Sequence, residues 1–163
     1  MISKKVCIVG AFSVGKTSLI KRYVASIFDE KYITTIGVKI DKKVIRVIDQ
    51  EVCLVIWDIE GDDDFSELKS SYLRGASGYI LVADGTRPNT LAVAEKLHAQ
   101  AQALLGNVPA VFALNKKDLV EEWRIGDTEL KSLQEWADVF ETSAKDDLAV
   151  ESLFVTLAEK MLR

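Results

Sequence analysis

The chain has 163 residues and a mass of 18.1 kDa, a length that suits a single domain over residues 1–163. Such a domain buries roughly two-thirds of its unfolded surface and needs no metal or disulfide to make a core. With 48% hydrophobic and 28% charged residues, 9 Gly and 2 Pro, the composition excludes collagen-like, low-complexity and disordered chains, and a net charge of -4 argues against nucleic acid as the main partner.

In chain order, a short apolar run at residues 6–9 is followed by a glycine-rich turn and a helical pattern containing Leu19, Ile20, Tyr23 and Val24. Residues 39–48 mix Val and Ile with lysines and an arginine, as an edge strand does, and Asp49-Gln50 reads as a hairpin turn into the apolar run 52–57. A further apolar run at 79–83 precedes a helix carrying Val93, Leu97, Ala101 and Leu104 on one face, which Gly106 ends and Pro109 keeps from resuming. The run 110–114 is followed by a helix with Asp127 as N-cap reaching Trp136, then by the short run 139–140. Val150, Leu153, Phe154, Leu157, Ala158 and Met161 share one face of a final helix. Apolar strands alternating with helices predict an α/β fold of about six mostly parallel strands, one antiparallel strand at the edge, and helices on both faces.

The cysteines, Cys7 and Cys53, lie inside apolar runs and read as two buried free thiols of a reducing cytosol. No apolar stretch approaches the roughly 20 residues of a membrane helix. Residues 4–12 lack the cleavage site of a signal peptide, and neither terminus carries a lipidation motif, so a cytoplasmic chain without its own membrane anchor is expected.

Two motifs carry chemistry. Gly10-Ala11-Phe12-Ser13-Val14-Gly15-Lys16-Thr17 is a complete G-x-x-x-x-G-K-[ST] pattern between a strand and a helix. Its glycines let backbone N–H groups and the helix N-terminus converge on phosphate, while Lys16 reaches the β- and γ-phosphates and Thr17 offers a hydroxyl to Mg²⁺. Asn115-Lys116-Lys117-Asp118 follows a strand, where an open α/β sheet binds its ligand. A carboxylate there accepts from the N1–H and 2-amino group of guanine together. Adenine would leave it unpaired at a cost of roughly 1–3 kcal/mol, or more because the group is charged.

In these motifs the chain resembles the small GTPases of the Ras superfamily, of the Rab type, and the resemblance runs over essentially its whole length. Thr34-Thr35-Ile36-Gly37 resembles the first switch and Trp57-Asp58-Ile59-Glu60-Gly61 the second. Ser70-Ser71-Tyr72-Leu73-Arg74-Gly75-Ala76 is similar to the stretch leaving that switch, and Glu141-Thr142-Ser143-Ala144-Lys145 to the base-contacting loop. The resemblance implies a three-layer P-loop NTPase G domain working as a Mg²⁺-dependent GTP/GDP switch with protein effectors at its switch loops and edge strand, a GTPase activator and an exchange protein. It implies that Gly10, Ser13, Val14, Gly15, Lys16, Thr17 and Ser18 hold phosphate, that Asn115, Lys116, Asp118, Ser143, Ala144 and Lys145 form the guanine pocket, and that Thr17, Thr35 and Asp58 serve the metal. Phe28 lies against the base or is simple core. Lys16, Thr35, Gly61 and Asp62 are the implied hydrolytic residues, although Thr35 is also one hydroxyl in a Thr-rich loop.

Two departures fall on the hydrolytic machinery. Phe12 stands where relatives carry a small residue, and either crowds the γ-phosphate and an incoming arginine or points harmlessly outward. Asp62 replaces the glutamine that orients the attacking water. It is shorter, is charged and offers no amide donor. Glu60, Asp63 and Asp64 surround it, either opposing the γ-phosphate or forming a solvated acidic loop. Intrinsic hydrolysis is therefore expected to be slow and partner-dependent, with a GTP-bound interaction module as the alternative and an ATPase or nucleoside kinase as a third reading. His98 reads as surface filler, Trp123 and Trp136 as packing residues, and Lys39, Lys42, Lys43 and Arg46 as guards of the edge strand or contacts for an acidic effector.

Overall fold

The computed structural model of the protein describes residues 1–24, 32–33, 38–59 and 67–163, with backbone alone at 32, 33 and 67–69. Along the chain, β1 (Ile2–Gly10) leads into α1 (Lys16–Val24), followed by β2 (Tyr32–Ile33), β3 (Val38–Val47), β4 (Gln50–Ile59) and α2 (Glu67–Leu73). Then come β5 (Gly78–Asp84), α3 (Asn89–Leu105), β6 (Ala110–Asn115), α4 (Asp127–Gln134), β7 (Val139–Glu141) and α5 (Val150–Met161). The sheet order is β2-β3-β4-β1-β5-β6-β7. From β4 to β7 all pairings are parallel, and the antiparallel pairings lie at one edge, as the alternation of runs implied. The six expected strands are present, and β2 adds two residues outside β3, opposite Lys39 and Ile40.

The near-continuous apolar runs follow from burial on both faces. All seven residues of β5 are buried. On one face Leu19 and Ile20 of α1 and Leu153, Phe154 and Leu157 of α5 cover Val6, Ile8, Leu54 and Ile56. On the other, Leu73 of α2, Leu97 and Ala101 of α3 and Leu133 of α4 cover Cys7, Val9, Leu81 and Phe112. Each large apolar side chain so placed contributes about 1.5–3 kcal/mol relative to exposure. Because β1 sends its helix to the first face and β5 sends α3 to the second, the loops after β1 and β5 flank a crevice at the carboxyl ends of the strands.

Several local expectations are corrected. The β3–β4 turn is Ile48-Asp49, one residue earlier than expected, at φ 51° and 57°. The pairing Val47↔Gln50 imposes this conformation on a β-branched residue that disfavours it. Asp127 is the first residue of α4 and not its cap; the cap is Gly126, whose N–H donates to Glu129 Oε2 at 2.5 Å, and the helix stops at Gln134, short of Trp136. Cys7 is buried, with its thiol pushed up to about 12 by that burial, but Cys53 is only half-buried. Lys43 does not guard an edge: its Nζ donates to the Tyr23 carbonyl at 2.5 Å and lies 3.7 Å from the centre of that ring.

His98 is not filler. Its Nδ1 lies 2.8 Å from the hydroxyl of fully buried Tyr79, and its ring stacks on Trp136 at 4.7 Å. Burial pushes the Tyr79 hydroxyl up to about 12 and the imidazole below its usual value, and the two groups share one hydrogen bond. Trp136 and Trp123 are packing residues, the latter lying over Gly85.

Candidate functional site

The turn between β1 and α1 is held open from inside and outside. Gly10 has no room for a side chain, since a Cβ would stand 2.3 Å from the Val82 carbonyl oxygen of β5. Ser13 and Gly15 adopt φ 61° and 102°, wrapping the chain around the buried Lys16, whose Nζ donates to the carbonyls of Gly10 at 3.1 Å and Ala11 at 3.0 Å. Phe12 is 68% exposed and lines the mouth of a cleft of about 330 Å³ together with Ser13, Gly15, Lys16, Thr17 and Ser18. The outward orientation of its side chain is therefore the one observed.

Beside the loop, Thr17 Oγ1 donates to Asp58 Oδ2 at 2.5 Å. Asp58 sits near the end of β4 and is 1% exposed, so its carboxyl group is sunk beside the hydroxyl. This all-oxygen pair fits Mg²⁺, which takes one or two protein oxygens and completes its shell with phosphate and water.

The second motif sits at the end of β6, next to the loop. The amide of Asn115, 2% exposed, donates from Nδ2 to the Val14 carbonyl at 3.0 Å and accepts at Oδ1 from Thr142 Oγ1 at 2.9 Å. Lys116, at φ 72°, donates to the Ser13 carbonyl at 2.9 Å. Ser143, fully buried, donates from Oγ to Asp118 Oδ1 at 2.7 Å and accepts the N–H of Asp146 at 2.9 Å. A second cleft of about 300 Å³, lined by Gly15, Ser18, Asn115, Lys116, Asp118, Leu119, Ala144 and Lys145, shares Gly15, Ser18 and Lys116 with the first. Gly10, Ser13, Val14, Gly15, Lys16, Thr17, Ser18, Asp58, Asn115, Lys116, Asp118, Ser143, Ala144 and Lys145 are thus brought together. Phe28, Thr35, Glu60, Gly61, Asp62, Asp63 and Asp64 lie outside the described residues.

Four residues not singled out from the sequence belong to this assembly: Arg22, Asp84, Thr86 and Arg87. Arg22 of α1 donates from Nε to the Ala144 carbonyl at 2.8 Å and from Nη2 to that of Lys145 at 3.0 Å, which ties the base loop to the helix after the phosphate loop. Asp84, 1% exposed at the end of β5, accepts from Thr86, Lys116 and Arg87. Its burial alone would raise the carboxyl, but the hydrogen bonds from Thr86, then Lys116 and Arg87, outweigh it and hold it below its ordinary value. The available signal was a lone carboxylate ending an otherwise apolar strand, the same signal that marks Asp58.

A glycine loop wrapped around a buried lysine between strand and helix, at the carboxyl edge of a mostly parallel sheet, defines a P-loop protein. A model of the Ras family matches residues 5–163. The chain is 32% identical over 166 residues to Ras-related protein Rab-32C of Dictyostelium discoideum, covering 99% of this chain and 74% of that one. It is 36% identical over 164 residues to GTP-binding protein yptV2 of Volvox carteri, with 97% and 75% covered, and 34% identical over 163 residues to human Ras-related protein Rab-21, with 98% and 72% covered. The chain belongs to the Ras family and is a Rab-like small GTPase.

Proposed function

We propose that residues 1–163 form one G domain that binds GTP and GDP with Mg²⁺ as a molecular switch. The observation that carries this reading is the bridging of the two clefts: Asn115 and Lys116, from the second motif, hold the carbonyls of Val14 and Ser13 in the first. A ligand that fills both clefts carries phosphate at one end and a base at the other. The loop at Gly10, Ser13, Val14 and Gly15 presents N–H groups to phosphate, with Lys16, Thr17 and Ser18 completing the cradle. Asp118, oriented by Ser143, accepts the two N–H donors of guanine, and Ala144 and Lys145 close the pocket under the hold of Arg22. Phe28 rests against the base. Asn115 acts chiefly as a brace, because both ends of its amide are engaged within the protein.

Thr17, Asp58 and, in the triphosphate state, Thr35 would hold Mg²⁺, which would supply neutralisation of phosphate charge. Thr35 and the Gly61 N–H answer to the γ-phosphate, ordering the two switch loops for effectors and releasing them on its loss. Regulators act on the same loops. Two free cysteines support a cytoplasmic placement, and no helix among the described residues is long and apolar enough to cross a membrane. Calorimetry with GDP and ADP tests the reading: GDP is expected to bind at least tenfold more tightly, and equal affinities would overturn it.

Hydrolysis proceeds by positioning and charge neutralisation, in which Lys16 and the loop N–H groups do most of the work. Asp62 accepts from the attacking water but donates nothing to the transition state, so intrinsic turnover is slow and an external arginine raises it about a thousandfold or more. Single-turnover GTP hydrolysis is expected to accelerate about tenfold or more in Asp62→Gln. A wild-type rate matching glutamine-containing relatives counts against this account. Asp62 is the feature that favours the second reading, a GTP-bound interaction module that hardly turns over; the outward-pointing Phe12 does not crowd the phosphate cleft and gives it no support. Nucleotide extracted from freshly purified protein separates the two, GDP marking the switch and GTP the static module.

A further inference from the structure

Three consecutive carbonyls of the phosphate loop are each taken by a side chain from outside it. Phe12 O accepts from Arg87 Nη2 at 2.8 Å, Ser13 O from Lys116 Nζ at 2.9 Å, and Val14 O from Asn115 Nδ2 at 3.0 Å. In a planar trans peptide the N–H of the next residue points opposite to the carbonyl. Pulling these carbonyls outward therefore turns the N–H groups of Ser13, Val14 and Gly15 inward, the arrangement that makes an anion cradle. The second motif accounts for Lys116 and Asn115. Nothing in either motif accounts for Arg87.

Arg87 is built to hold still. Its Nε donates to Asp84 Oδ2 at 3.0 Å, and that same oxygen meets Lys116 Nζ at 2.9 Å, so one buried carboxylate anchors both cations that grip the loop. Its N–H donates to the Asp84 carbonyl at 2.9 Å, and its carbonyl accepts from the hydroxyl of fully buried Thr90 at 2.7 Å. With backbone and guanidinium both fixed, the peptide between Phe12 and Ser13 cannot rotate without breaking a charge-assisted hydrogen bond.

We propose that Arg87 is a positioning residue of the phosphate loop, which, braced on Asp84, holds the Ser13 N–H toward the phosphates beyond the α-phosphate of a guanine nucleotide. The 12–13 peptide borders the first cleft and not the second, where Asp118 lies, so it faces the end of the site remote from the base. This inference rests on the nucleotide-site reading above.

The test is calorimetry of wild type, Arg87→Ala and Arg87→Lys with GDP and GMP, alongside thermal unfolding. Arg87→Ala is expected to bind GDP about tenfold more weakly while its GMP affinity stays within about twofold, so the GMP/GDP ratio shifts by the difference. Arg87→Lys, whose ammonium lacks the guanidinium fork that grips Asp84 and Phe12 together, is expected to fall between. Should Arg87→Ala fail to fold, the same ratio in Arg87→Lys decides. Equal losses for GDP and GMP, or none for GDP, overturn the inference. A wild type that binds no GDP overturns instead the nucleotide-site reading on which it stands.

Discussion

Gly15→Ala is expected to weaken GDP binding by on the order of a hundredfold or more and to lower stability by about 3 kcal/mol or more. Two independent causes add. At φ 102° the backbone is where L side chains rarely go, and a Cβ there would stand 2.3 Å from Asn115 Nδ2. The Asn115 side chain can withdraw only by giving up its bonds to Val14 O and Thr142 Oγ1, which leaves a 2% exposed amide unsatisfied. The substitution thus disconnects the two motifs at the point where they are joined. Gly75→Ala is the control: at φ 79° it carries the same kind of backbone cost, but nothing lies within 4 Å of the added carbon. It is expected to lose about 1–2 kcal/mol of stability and no nucleotide affinity. Denaturant unfolding and calorimetry measure both effects, and a Gly15→Ala protein that binds GDP like wild type would contradict the cradle.

Asp118→Asn is expected to lower GDP affinity by on the order of a hundredfold, about 3 kcal/mol, and to favour xanthosine diphosphate instead. Guanine presents two donors, N1–H and the 2-amino group, and a carboxylate accepts both. A carboxamide accepts one and turns its own N–H₂ toward the other. Xanthine carries an oxygen in place of that amine, so the amide pairs with it correctly. The bond from Ser143 Oγ to residue 118 survives because the amide oxygen still accepts, and thermal unfolding should stay near wild type. Calorimetry with the two diphosphates reads the exchange. Retained GDP affinity in the variant would remove Asp118 from the base pocket.

Strands were legible because a parallel strand buried on both faces is a near-continuous apolar run, and β5 and β6 show that up to their last residues, Asp84 and Asn115. The hairpin was placed one residue late because local preference disfavours Ile48 at positive φ, and only the cross-strand register forces it there. Helix α2 was missed since it is seven residues long, too short for a periodic pattern to declare itself. His98, the only histidine, carried no sign of its bond to Tyr79, 19 residues away on a strand beneath it.

The candidate site divides along the same line. Spacing by itself picked out the glycine loop proposed to hold phosphate, because Gly10, Gly15, Lys16 and Thr17 lie within a turn of eight consecutive residues. It also singled out Asp118, just beyond a strand end, as the carboxylate proposed to read the base. Tertiary structure alone decided how that loop is held, through donors 75, 101 and 103 residues away at Arg87, Asn115 and Lys116. No local pattern encodes such pairs: a side chain meets a distant carbonyl only when packing has brought two strand ends side by side, and the sheet order does that here.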